Sequence, residues 1–163
     1  MNFRKYFKVY SLFNYTSLSI EMEYKINILI DLVTALLSLL GSIFLISIFF
    51  SNSTIIGGWS FPQALIIQAI YTILNGVTNT WLSPNLTEIV KYIREGTLDF
   101  VLIKPIDSQF WISFKRSSPS GLLEIILGVA LLIYCLNLNE LSLNLLTISI
   151  FLITILFSVS ILY

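Results

Sequence analysis

The chain has 163 residues, is 56% hydrophobic and 11% charged, and carries no net charge, with a mean hydropathy of +0.89. Soluble chains average roughly 25% charged residues, so this composition excludes a water-soluble globule and marks an integral membrane protein. Neutrality gives nucleic acid no electrostatic footprint, and the absence of His removes the usual general base and the commonest metal ligand. The one cysteine, Cys135, has no partner thiol within the chain and lies in an apolar run, where it reads as a small core or lipid-facing residue.

Residues 2–13 predict an interfacial helix. At about 100° per residue, Phe3, Tyr6, Phe7, Tyr10 and Phe13 share one face, and Arg4, Lys5 and Lys8 share the other. Aromatic rings suit the headgroup boundary and the cations suit anionic lipid. The segment reads either as an elbow along the inner leaflet or as a plain topology anchor. No compact apolar core with a small-residue cleavage site follows, so it does not read as a cleavable signal.

Four stretches are long and apolar enough to cross a bilayer as helices, which takes about 20 residues each. They are 26–50, 62–82, 121–138 and 143–163. The expectation is an all-α, polytopic membrane protein, a single transmembrane domain over 1–163. Long runs without period-two alternation exclude a barrel. Every Lys and Arg falls either before the first span (Arg4, Lys5, Lys8, Lys25) or between the second and third (Lys91, Arg94, Lys104, Lys115, Arg116). By the positive-inside rule, the N-terminus, loop 83–120 and the C-terminus are then cytoplasmic.

Within the spans, Asp31 and Glu124 each lie one to two turns from the cytoplasmic end. Acids at membrane depth are functional candidates, although pairing with Lys25 or Arg116 is the simpler reading. Asn75, Thr78, Asn79 and Thr80 are too polar for lipid and serve either interhelical packing or a substrate path. The pair Gly57-Gly58 reads as an external turn.

Loop 83–120 is more than a tether. Ser83-Pro84-Asn85 is expected to stop the second span, with Asn85 and Glu88 spaced as a capping box. Leu86, Ile89, Val90 and Ile93 follow helical spacing, with Glu88, Lys91 and Arg94 off that face. Gly96 is placed as the stop. Leu98–Ile103 is a short apolar piece ending at Lys104-Pro105. Asp107 then caps a second short helix whose apolar side is Phe110, Trp111 and Phe114. No G-x-x-x-x-G-K-[ST] loop is present, so the chain lacks that route to ATP.

Two sequence pieces here, Ile93-Arg94-Glu95-Gly96-Thr97-Leu98-Asp99 and Leu102-Ile103-Lys104-Pro105, together resemble the cytoplasmic loop of ABC-2 family transporter permeases, the membrane subunits of bacterial exporters. The resemblance implies a permease of the bacterial plasma membrane without catalytic activity or cofactor. It would be paired with a second copy or a sister permease, as a homo- or heterodimer, and driven by a separate cytoplasmic ATPase subunit. It implies that Glu88–Lys104 docks on that ATPase. Glu88, Lys91, Arg94, Asp99 and Lys104 would be contact residues, with Gly96 forming the turn and Pro105 the exit. The cargo of such exporters ranges over drugs, antibiotics and lipid-linked molecules. Asp31, Asn75, Asn79 and Glu124 are the candidates for a substrate path. The family has six spans, and four here, ending at Ser160-Ile161-Leu162-Tyr163, lead to the expectation of a truncated subunit. Two alternatives stand beside this reading. One is a non-catalytic accessory membrane protein. The other is a lipid-modifying enzyme, which would need clustered acids where this chain has scattered ones.

Overall fold

The structure, a computed structural model, describes residues 3–23, 25–52, 55–138 and 145–162. It is all-α apart from one small hairpin. Helix α1 spans Phe3–Glu23 and α2 spans Lys25–Phe50. The two-residue strands β1 (Ile55–Ile56) and β2 (Trp59–Ser60) then pair antiparallel, Ile55 opposite Ser60. Gly57 and Gly58 make the connecting turn at φ +58° and +85°, where a two-residue hairpin loop needs positive φ twice in succession. Helix α3 follows over Phe61–Val77, opened by the Ser60 amide donating to Gln63 Oε1 at 2.9 Å. A π-helical turn, Thr78–Leu82, leads into α4 (Ser83–Arg94). Then come α5 (Leu98–Leu102), α6 (Ser108–Phe114), α7 (Ser120–Leu138) and α8 (Leu145–Leu162). The predicted connection around Asn139 and Glu140 lies outside the described residues.

Two described segments, Lys25–Phe50 and Ser120–Asn137, are long and apolar enough to cross a membrane by length and composition. Ser149–Ile161 is a shorter apolar stretch. Among the described residues, α2 buries none completely: a stripe that includes Ile28, Leu32, Ala35, Leu39 and Ile46 is partly covered, and the rest of its surface is left for lipid or another chain.

The core is the antiparallel pair α3–α7. Lipid offers no hydrophobic drive for two helices to meet, so close backbone approach at small residues has to supply the contact. Gly76, Gly121 and Gly128 do this. A Cβ on Gly76 would sit 2.7 Å from Ile125 Cγ1 and 2.8 Å from the Gly121 carbonyl oxygen. A Cβ on Gly128 would sit 2.7 Å from Ile73 Cγ1 and 2.9 Å from the Ile73 amide nitrogen. Leu65, Ala69, Ile73 and Cys135 are buried in the same layer, which places Cys135 in the core as its sequence context predicted.

Two expectations are corrected. The interfacial helix does not end near residue 13 but runs on to Glu23. Nor does Ser83-Pro84-Asn85 end the helix that carries the second expected span. Leu82 (φ −78°, ψ −56°) and Ser83 (φ −57°, ψ −45°) are both right-handed helical, so Phe61–Arg94 is one rod. A proline inside a helix removes one amide and its ring collides with the carbonyl four residues back, here Thr80. The π turn absorbs that conflict, with the Ser83 amide donating to the Thr78 carbonyl five residues back. The freed Thr80 carbonyl accepts from the Ser118 amide at 2.8 Å.

The α3–α7 contact predicts an asymmetric response to glycine substitution. Gly128→Val should lower stability by about 1–3 kcal/mol through overpacking. Gly41→Ala, in α2 with open space around it, should leave it unchanged or raise it. Thermal unfolding of both variants in the same detergent checks the difference.

Candidate functional site

Loop 83–120 folds into three short helices rather than the two expected. Glycine ends α4: Gly96 adopts φ +65°, a conformation that costs other residues strain, and the Thr97 amide bonds back to the Tyr92 carbonyl at 2.9 Å. Asp107 caps α6 as its position predicted, its Oδ1 accepting from the Phe110 amide at 2.8 Å.

The predicted capping box at Asn85 and Glu88 does not form. Leu82, not Asn85, precedes α4. Asn85 is 3% exposed and serves a different purpose. Its Nδ2 donates to the carbonyls of Trp81 (2.6 Å) and Arg116 (2.7 Å), and its Oδ1 accepts from the Arg116 amide at 2.9 Å. The side-chain amide thus pairs with both backbone groups of Arg116 and fixes segment 115–118 against the rod. Glu88 is occupied too. It takes Lys115 Nζ at 3.2 Å and Arg116 Nε at 3.2 Å. Lys115 also donates to the Tyr92 hydroxyl. Since Arg116 is half exposed and Lys115 much less so, the Lys115 contact is the stronger of the two. Burial pushes the Glu88 carboxyl up, but the hydrogen bonds from Lys115 and Tyr92 and the positive charge of Arg116 outweigh it, and its pKa is lowered.

Helix α1 lies along this loop through edge-to-face aromatic pairs: Tyr6–Phe110 at 4.9 Å, Tyr10–Phe114 at 5.8 Å and Phe13–Trp111 at 5.0 Å between centroids. Each such pair contributes about 0.5–1.5 kcal/mol beyond its burial. Polar contacts continue the seam. Lys5 Nζ donates to the Pro105 carbonyl at 2.9 Å, Ser117 Oγ to Asn14 Oδ1 at 2.9 Å and Ser118 Oγ to Glu21 Oε1 at 2.8 Å. Lys104 Nζ sits 3.4 Å above the Trp111 ring centroid, and burial, with Lys115 nearby, lowers its pKa. Burial likewise raises the Glu21 pKa, against the hydrogen bond from Ser118 and with the charge of Asp31.

The seven predicted docking residues therefore divide. Glu88 and Lys104 are tied into the loop's own structure, and Pro105 is tied to Lys5 of α1. Lys91, Arg94, Gly96 and Asp99 are exposed. Around them stand apolar side chains with little cover: Ile93 at 62%, Phe100 at 65% and Ile103 at 78% exposure, with Val90 and Leu102 beside them. This α4–α5 surface is apolar with a few charges set into it, at the tip of the Phe61–Arg94 rod.

The predicted path residues converge. Asn75 Nδ2 donates to Glu124 Oε2 at 2.9 Å, and Asn79 Nδ2 reaches both Glu124 oxygens at 3.2 Å. Glu124 is thus held by two amides, Asn75 of α3 and Asn79 of the π turn, and Arg116 is taken by Glu88, so the expected Glu124–Arg116 pairing does not occur. Asp31, Asn79 and Glu124 line one cleft of about 250 Å³ between α2, the π turn and α7. The spacing of Asn75 and Asn79, one helical turn apart, signalled a shared face. Asn85 and Ser118 carried no such signal, because their roles arise from the carbonyls exposed around Pro84.

The sequence profile of the ABC-2 family transporter proteins matches residues 36–163. The chain belongs to that family, and is a membrane protein of the permease type, a transport component. Membership implies association with an ATPase subunit. Neither the search of curated proteins nor that of solved structures found a match.

The Glu88 pairing predicts a pH dependence. A depressed carboxyl pKa contributes stability that is complete above the unfolded value near 4.5 and lost as pH falls through the folded value. Wild type should exceed Glu88→Gln by about 0.5–1.5 kcal/mol at neutral pH, and the gap should close below pH 4.5. Unfolding of both proteins across that range measures it.

Proposed function

We propose that the chain is the membrane subunit of an ATP-driven exporter and that the α4–α5 surface docks on its cytoplasmic ATPase. One observation carries this reading: exposed apolar side chains with Lys91, Arg94 and Asp99 among them, presented at the end of a helix continuous with the membrane core. An apolar side fills a groove on a partner, and a few charges set register and exclude wrong partners. A rigid connection lets closure of the ATPase tilt the rod, and with it the close-packed α3–α7 pair. The positive-inside distribution supports a cytoplasmic N-terminus and loop in a bacterial plasma membrane. Four spans, α2, α3 with its π turn, α7 and α8, fit the same layout. The exposed face of α2 supports pairing with a second permease, a copy or a sister.

The cleft of Asp31, Asn79 and Glu124 belongs to the path of the exported molecule in this reading. Polar groups at that depth face protein or a water-filled cavity rather than lipid.

Affinity capture of the tagged chain from its native membranes in mild detergent should recover a P-loop ATPase. Arg94→Glu should cut that recovery at least about tenfold, as reversal of an interfacial charge does, with membrane insertion unchanged. Full recovery with the Arg94→Glu chain would refute the docking assignment.

A further inference from the structure

The hairpin β1–β2 joins α2 to α3 at the end of α3 opposite loop 83–120, and the proposed function gives it no part. Its side chains are apolar and uncovered: Ile55 is 64% exposed and Trp59 53%, with Ile56 beside them. Segment 51–61 carries no charged residue. Connections that face water are polar in composition, and exposed apolar side chains clustered in one mark a contact surface. Ile56 pairs directly with Trp59 across the ladder, so the two share a face next to the bare glycine turn. The ladder is only two residues per strand. A lone two-stranded hairpin is marginal at best in water, so this one gains from a less aqueous surrounding.

Two costs bracket that surrounding. In water, the three apolar side chains stay hydrated. In hydrocarbon, the outward-facing amides and carbonyls of both strand edges lose every hydrogen-bond partner. Between the two lies the headgroup boundary, where a Trp ring keeps its body against acyl chains and its indole N–H in a wet layer. The apolar surface of α2 leads there. Phe44, Ile48 and Phe49, on the last turns of a helix long and apolar enough to cross a membrane, are exposed. The Phe50 and Phe61 rings, 5.9 Å apart between centroids, close the base of the hairpin. Strands this short also offer little edge for strand addition by another protein. We propose that hairpin 55–60 seats in the headgroup layer of the bilayer, with Ile56 and Trp59 against lipid, and fixes the depth of the joined ends of α2 and α3. On the positive-inside assignment this is the outer leaflet. The anchor needs a membrane protein around it and no ATPase. A rod driven at its Arg94 tip would pivot about this held end.

Depth-dependent fluorescence quenching of the full chain in phosphatidylcholine vesicles tests this. Trp59→Phe is measured beside the unaltered protein, so that the difference isolates Trp59 from Trp81 and Trp111. A nitroxide near the glycerol end of the acyl chain should quench that difference signal about twofold more than one near the methyl end, since an interfacial group lies roughly 5–10 Å into the boundary. Iodide in the bulk water should quench it much less than it quenches a free indole. Strong iodide quenching with neither nitroxide effective would place the hairpin in water. Resistance to all three quenchers would place it under protein, such as a second copy of the chain. Either result overturns the proposal. So does quenching from the methyl end that equals or exceeds quenching from the glycerol end, which would put the ladder in hydrocarbon.

Discussion

One carbonyl organises the half of this molecule that holds α1 and loop 83–120. Pro84 cannot return a hydrogen bond to Thr80, and its ring forces the backbone there to widen into a π turn. A free carbonyl at this depth needs a donor. The Ser118 amide supplies it at 2.8 Å, which brings the segment before α7 against the middle of the rod. Asn85, one residue past the proline, bonds the next carbonyl, Trp81, and both backbone groups of Arg116. The irregularity of one helix is thereby the attachment point of another segment. Glu88, one turn on, completes the join with Lys115 and Arg116.

Everything peripheral builds on that join. With 115–118 fixed, α6 is held in place and presents Phe110, Trp111 and Phe114 to α1. Magnitudes favour the rings over the ions here. Several edge-to-face pairs at about 0.5–1.5 kcal/mol each outweigh a partly exposed ion pair, worth about 0–1 kcal/mol. On the other side of the join, Gly76, Gly121 and Gly128 let α3 and α7 approach to backbone contact. The rod is therefore gripped at both levels, by small residues within the membrane core and by amide and carboxylate contacts below it. What stays ungripped is its tip, where Ile93, Arg94 and Asp99 face outward.

Much of this was legible in the sequence, for identifiable reasons. The first span, the Gly96 stop, the Asp107 cap and the convergence of Asn75 and Asn79 on one face follow from local rules: run length, positive φ, side-chain reach and helical period. The failures share one cause. Ser83-Pro84-Asn85 looks like a helix stop because proline usually is one, and the π turn that rescues it depends on a donor 34 positions away, Ser118, that local patterns do not register. The same nonlocal bond displaced Asn85 from its expected capping position. Glu124 was expected to meet Arg116, but Asn75 of α3 and Asn79 of the π turn hold it and Glu88 took the arginine. The length of α1 beyond residue 13 is likewise set by contacts, those of Ser17 and Glu21 with Ser117 and Ser118, and not by its aromatic stripe.

The central claim is that Phe61–Arg94 is one rigid rod, stiff through Pro84. Spin labels at Tyr71 and Lys91, both exposed, measure it directly by double electron–electron resonance on the full chain in bilayer discs. A continuous helix rising about 1.5 Å per residue puts the labels about 30 Å apart. The account predicts one narrow distribution there, unchanged by Lys115→Ala, because Asn85 and Ser118 still hold the π turn. A broad or two-peaked distribution would contradict it, showing a hinge where the structure has a strut.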